Sequence, residues 1–311
     1  MRKILFLTSL MLSVCFAQAQ QTQSSNTDSL LNSLTSTNEA EPVIAAFKST
    51  RLILTPTTET NKKKNLNFMV VHRFGDVAGA AGGGKTLYGF DNSSDIYIGF
   101  EYGLTDNLDI NFGRSKYEQL LELGFKYSLL HQTSNNSMPV ALTLLANAGL
   151  KPYQVTTNVF DDYTNRLSYF YQAIFSRKFS SRLSLEVAPS FLRDNLPFPY
   201  INGNEKNIFA LSAAGRFKVT KHMGIVLDYA HPFSSFRRNN TSTPFYDPLG
   251  VGIEIETGGH VFTMNFTNAE AISPINYLSS TTSNWAKGQF RFGFNIARVF
   301  DLDHKHKGTY K

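Results

Sequence analysis

The chain has one cysteine, Cys15, and it stands inside an apolar N-terminal run. Once that run is removed, no thiol is left, which excludes disulfides, thiolate zinc sites and cysteine nucleophiles. After the first 20 residues there is no uninterrupted apolar stretch of about 18, so no helical membrane span is encoded. There is no block of one charge either. The formal charge of +6 includes Arg2 and Lys3, and the remainder is scattered, which argues against nucleic acid as a partner. Tryptophan occurs once, yet Phe occurs 26 times and Tyr 14 times. These aromatics are placed with a period that carries most of the information in the chain.

The N-terminus reads as an export signal. Arg2 and Lys3 precede ILFLTSLMLSVCF, and Ala17-Gln18-Ala19 supplies a small-x-small cleavage site, giving a signal peptide over 1–19. Lipoprotein processing at Cys15 is the competing reading, but Val14 is bulky where that processing needs a small residue. Residues 20–42 are polar and rich in Ser, Thr and Asn and read as a flexible leader.

From residue 66 one period dominates. In DIYIGFEYGL (95–104), Ile96, Ile98, Phe100, Tyr102 and Leu104 alternate with Asp95, Tyr97, Gly99, Glu101 and Gly103. Strict alternation marks a strand whose two faces meet different solvents. The same signal recurs at 108–113, 121–129, 183–191 and 290–297. Weaker versions stand at 66–74, 139–150, 166–178, 207–218, 223–231, 247–257 and 260–268. Twelve strands result, near the 9–11 residues of a tilted transmembrane strand. Helical periodicity does not compete anywhere after residue 65.

The connections alternate in length. Loops 75–94, 151–165, 193–206, 232–246 and 269–286 are long. The turns at 105–107, 180–181, 219–222 and 258–259 are short, with 132–138 intermediate and the link after the third strand tight. A secreted β-sandwich would also alternate, but it has no reason to sort loops by length to opposite ends. An all-β fold follows: a transmembrane antiparallel up-and-down β-barrel of about 12 strands, with short periplasmic turns and long external loops. The predicted organisation is a signal peptide (1–19), a disordered leader (20–42), a periplasmic segment (43–65), the barrel (66–300) and a polar periplasmic tail (301–311).

AFKSTR (46–51), HRFGD (72–76), LYGFDNSSDIYIGFEYGLTDNL (87–108) and GRSKYEQLLELGFKYSLL (113–130) resemble an uncharacterised, domain-of-unknown-function family of outer-membrane β-barrels from Bacteroidetes-type bacteria. The resemblance runs from about residue 43 to the C-terminus. It implies the barrel and the outer-membrane location, and it transfers no activity, substrate or catalytic residue. For AFKSTRLILTP two forms stay open, a short strand or an inward strap at the periplasmic end.

The sharpest chemical motif is GAAGGGKT (79–86), which fits the phosphate-loop pattern letter by letter. That chemistry needs a helix opening at the lysine so that its amides face phosphate. Here LYGFDNSSD and a second strand follow, so no nucleotide is expected. Gly79, Gly82, Gly83 and Gly84 are read as the pliable part of a gating loop.

The lumen face carries Asp95, Glu101, Asp109, Glu122, Glu186, Asp228, Glu254 and Glu256, with Lys126, Arg216 and Arg291 opposite and Arg73 nearer the rim. Either these charges line a mildly cation-preferring pore or they form a structural ion-pair network that fills it. His72 and His231, on the lipid side near external strand ends, offer a lipid hydrolase as a third class, but no Ser and carboxylate are singled out beside them. His304 and His306 read as part of a solvated tail rather than a metal site.

The expected function is passage or binding of a small polar solute or ion. The alternative is a barrel that conducts nothing and anchors a periplasmic or surface complex. No catalytic, cofactor or metal-binding residue is assigned, and the expected partners are outer-membrane lipid, such a solute, and a periplasmic protein.

Overall fold

In the computed structural model, residues 41–43, 45–152, 163–199 and 204–303 are described. The signal peptide, nearly all of the leader, and His304 and His306 lie outside them. Twelve strands close into one antiparallel barrel: β1 (Asn65–Asp76), β2 (Ser93–Thr105), β3 (Leu108–Ser115), β4 (Leu121–Leu130), β5 (Ala141–Leu150), β6 (Leu167–Lys178), β7 (Leu183–Asp194), β8 (Asn207–Lys218), β9 (Met223–Phe233), β10 (Leu249–Thr257), β11 (His260–Thr267) and β12 (Arg291–Asp301). Each strand pairs with its sequence neighbours, and β1 pairs with β12 from Asn65↔Asp301 to Asp76↔Arg291. Closure leaves no edge whose backbone groups lack partners.

Alternation sets the two faces. Along β7, Ser184, Glu186, Ala188 and Ser190 are buried, whereas Leu185 and Val187 are exposed. Exposed apolar side chains recur around the outside, among them Ile98, Phe112, Leu123, Phe125, Phe209, Leu227 and Phe266. An apolar belt of this extent is not stable in water and marks contact with lipid. No helix among the described residues is long and apolar enough to cross a membrane.

One end of the barrel carries the short turns and will be called the turn end. Gly258 and Gly259 join β10 to β11 with φ of 44° and 100°, left-handed values that glycine adopts without a Cβ penalty. The opposite, loop end carries two short α-helices, α1 (Ser235–Asn239) and α2 (Pro274–Ser280). All seven residues of α2 are buried.

Candidate functional site: an occupied lumen

Two segments fill the barrel. The first comes from the turn end. Its entry is pinned where Val43 N donates to Gln132 O at 2.7 Å. The chain then enters the lumen, reverses over Arg51–Pro56 through Leu52 N–Thr55 O (3.1 Å) and Thr57 N–Thr50 O (2.9 Å), and returns to β1. Of the two forms open for AFKSTRLILTP, the structure takes the strap, as a hairpin wedge. Its tip reaches Asp228, halfway along β9, so the strap runs well beyond the rim.

The second segment is the β11–β12 connection. Residues 268–283 turn inward, and α2 packs inside the wall. Ser273 caps α2 by accepting from Ile275 N at 3.2 Å, with Pro274 beside it at the first helical position. Wedge and loop share one apolar core. Phe47, Leu52, Ile53 and Leu54 pack with Ile275, Tyr277 and Leu278 and with wall residues such as Leu145, Phe170 and Leu192. Arg51 of the wedge donates to Ile272 O of the loop at 2.9 Å. The interior therefore holds an apolar core made by both segments and the wall, enclosed by the barrel.

The charged residues of the wall hold this filling. Asp228 accepts from Leu54 N (2.8 Å), Thr55 N (2.8 Å) and Thr55 Oγ1 (2.6 Å). Asp109 accepts from Asn61 N and Asn61 Nδ2, and Lys126 donates to Thr50 O (3.2 Å) and Glu59 O (2.5 Å). Asp95 accepts from Ser115 Oγ, Tyr117 N and Ile272 N, and Glu122 accepts from Ser273 Oγ at 2.7 Å. Arg291 reaches Asn268 O, Glu270, Asp76 and Ser283 Oγ. Glu256 pairs with Lys48 of the wedge at 3.0 Å, and Glu101 accepts from Asn67 Nδ2.

Among the residues expected to line the lumen, Arg216 and Glu254 form a direct ion pair, at 2.5 Å. Glu186 is buried with neither carboxylate oxygen in a hydrogen bond among the described residues. For most of the others, the bond partner is a backbone group or hydroxyl of the wedge or the inserted loop. Those segments were not foreseen as partners.

Arg73 also has a larger part than its rim position suggested. It is fully buried and donates to Ala269 O, Ala271 O and Ile53 O, so one guanidinium ties both segments to β1. The uncharged, apolar stretches LILTP and AISPINYL were the available signals for the two segments. Neither makes sense in a solvated turn or loop.

Gly79, Gly82, Gly83 and Gly84 belong to a different loop at the same end. It folds on itself, with Gly83 N to Val77 O at 3.0 Å and Lys85 Nζ to Ala80 O at 2.9 Å. No helix was expected at Lys85. A short 3-10 element does span Gly84–Gly89, but Leu87 and Tyr88 take positive φ within it, so no row of helical amides faces an anion. Gly79, Gly84, Lys85, Leu87 and Tyr88 are exposed, and the loop is bonded to the last residues of the β11–β12 connection, beyond the inserted part, through Val77 N–Phe290 O and Ala78 N–Gly288 O.

The two histidines of the hydrolase reading face outward. His72 stacks on Phe294 with ring centroids 5.4 Å apart, and His231 Nδ1 lies 2.8 Å from Asp247 Oδ2. No serine hydroxyl bonds either ring among the described residues. No cluster of three His, Asp or Glu groups among them could hold a metal ion.

Residues 47–300 match the model of the membrane bound beta barrel domain (DUF5777) family. The chain belongs to this family. No curated protein matches the chain. Among solved structures it is similar to the NanC porin, at 7% identity over 75% of this chain and 98% of that one, with a TM-score of 0.46. It is similar to the COG4313 outer membrane channel from Pseudomonas putida F1, at 13% identity, 78% and 98% coverage and a TM-score of 0.46. It is also similar to the KdgM porin, at 6% identity, 76% and 99% coverage and a TM-score of 0.43.

Proposed function

We propose that this DUF5777 member is an outer-membrane barrel for a small polar solute or ion, held closed by its own N-terminal wedge. The turn end faces the periplasm and the loop end faces outside, as short turns and long loops are distributed in such barrels. One observation carries the reading. The wedge is fastened to the wall by hydrogen bonds with polar and charged side chains, concentrated at Asp228, Asp109 and Lys126, beside the apolar contacts of Phe47, Leu52, Ile53 and Leu54. Bonds to charged groups are worth roughly 1.5–3 kcal/mol each in net terms. Water or a polar solute can replace each of these bonds, and withdrawal of the wedge breaks none of the strand ladders that close the wall.

Once the wedge is out, the carboxylates of Asp228, Asp109 and Glu101 face the lumen and favour cations. Residues 20–42 precede the wedge in the sequence and offer a periplasmic protein a polar stretch to bind. The glycine loop stays outside the lumen, tied through Val77 and Ala78 to residues 290 and 288, and its share in gating is read from the conductance of a variant lacking 79–84.

The test is conductance in planar bilayers. The full chain is expected to be closed for most of the recording, and a variant lacking residues 46–58 is expected to conduct steadily. Glu101→Gln with Asp109→Asn in that variant is expected to lower its cation preference. A deletion variant that keeps a folded barrel and stays silent defeats passage. That result favours the second reading, a filled barrel that anchors a complex.

A further inference from the structure

The outer wall carries a feature that the lumen does not explain. A cavity of about 520 Å³ opens at the loop end, lined by His231, Phe233, Arg237, Arg238, Phe245 and Asp247 among others. Arg237 is buried, with Nη1 on Leu278 O, Nη2 on Tyr246 O and its guanidinium 4.8 Å from the Phe245 ring. Burial lowers this guanidinium to about 10, which leaves it cationic at neutral pH. Arg238 is exposed, and its guanidinium has no protein partner among the described residues. Asp247 is occupied, accepting from Tyr229 Oη at 2.5 Å and contacting His231 Nδ1. Two arginines against one engaged carboxylate leave the cavity positive even with His231 neutral.

Below the cavity the lipid face is not smooth. A second hollow of about 580 Å³ is lined almost wholly by apolar groups. Its floor is made of small or ring-closed residues, Ala146, Ala173 and Pro189, between tall aromatics. The two hollows are neighbours along the wall. Phe125, Ala146, Tyr171, Phe191, Phe209 and Phe233 are successive directly opposed partners from β4 to β9, one outward row across six strands. Phe209 borders the apolar hollow and Phe233 borders the positive cavity. Six strands at about 4.8 Å spacing give a row roughly 24 Å long. One leaflet is only about 15 Å deep. Because strands are tilted, such a row runs obliquely and can follow the chain of one lipid.

We infer that this wall is a binding site for one anionic, phosphate-bearing lipid of the outer leaflet, its headgroup against Arg238 and His231 and an acyl chain along the Ala146–Ala173–Pro189 floor. The side-by-side arrangement selects the occupant. A soluble phosphate has no use for the apolar hollow, and a zwitterionic lipid gains less from two arginines. A guanidinium free to take phosphate oxygens in pairs supplies the specificity. The site does not depend on whether the lumen conducts.

Native mass spectrometry of the full chain in detergent tests it, with dioleoyl phosphatidic acid, dioleoyl phosphatidylcholine and glycerol phosphate as probes. One phosphatidic acid per chain is expected, bound about tenfold more tightly than phosphatidylcholine. Arg238→Ala with His231→Ala should erase that preference, and Ala173→Phe should weaken both lipids by filling the floor. His260→Ala, which is outside the site, should change nothing, and circular dichroism checks the fold of each variant. Equal binding of the two lipids overturns the proposal, as does equal affinity for glycerol phosphate. A dimer that Ala173→Phe abolishes also overturns it, because the hollow would then be filled by a second copy of the chain.

Discussion

Two long connections leave the same end of this barrel and have opposite fates. Residues 77–92 lie outside, with Gly84, Lys85, Leu87 and Tyr88 exposed. Residues 268–283 lie inside, with Ile275, Tyr277 and Leu278 almost wholly buried. Flexibility does not account for the difference, since the glycine-rich loop is the more pliable. The inserted loop has apolar mass to bury, and it carries backbone and hydroxyl groups that meet the wall carboxylates and Arg73. It also contains a self-capped helical turn that uses its own amides. The glycine loop carries Lys85 and little apolar mass at its centre, so insertion would desolvate a charge for a small return. What enters a barrel is decided by what the wall needs satisfied.

That contrast can be broken most strongly at Tyr277. Tyr277→Ala should destabilise the inserted loop by ~3–5 kcal/mol through the cavity it leaves. Trp285, the single tryptophan, stacks on Phe290 at 4.7 Å within the same connection. Its fluorescence in a denaturant titration should therefore report the loss, and an unshifted midpoint would show that the core inside the barrel is not what holds the loop.

The wedge comes next. Asp228→Ala strands three donors of Leu54 and Thr55 and should cost ~3 kcal/mol of wedge docking. Limited proteolysis at Arg51 should speed up accordingly, and Asp228→Asn, which keeps one acceptor, should fall between. Equal protection in all three proteins would remove Asp228 as the anchor.

Ser273→Ala removes the cap of α2 and the hydroxyl donated to Glu122, with an expected cost of ~1–2 kcal/mol in the same fluorescence titration. The smallest effects belong to the glycine loop. Gly84→Ala meets open space and should change nothing measurable, whereas Gly83→Ala, at φ 86°, should cost ~1 kcal/mol locally. Removing 79–84 should leave Trp285 emission and conductance nearly unchanged. A large change in conductance would instead make that loop the gate.

The wall was legible because its rule is local. Asp95, Asp109, Glu122, Lys126 and Glu186 could be assigned to the inner face from alternation alone, and all five are buried there. Their partners were not legible. Nothing near Asp228 in sequence points to Leu54 and Thr55, which are more than 170 residues away. LILTP and AISPINYL were visible as apolar stretches without a face to bury, but their destination depended on a cavity that exists only after closure.

The sequence by itself determined the twelve strands, their inward and outward faces and the sorting of short turns from long loops, because a two-residue period and turn chemistry act between near neighbours. Only the tertiary structure decided that the barrel is full, and with which segments. Closing β1 onto β12 creates a lumen whose buried charges must find partners. The wedge and the inserted loop supply most of them from opposite ends of the barrel, while Arg216 and Glu254 pair within the wall and Glu186 stays unbonded.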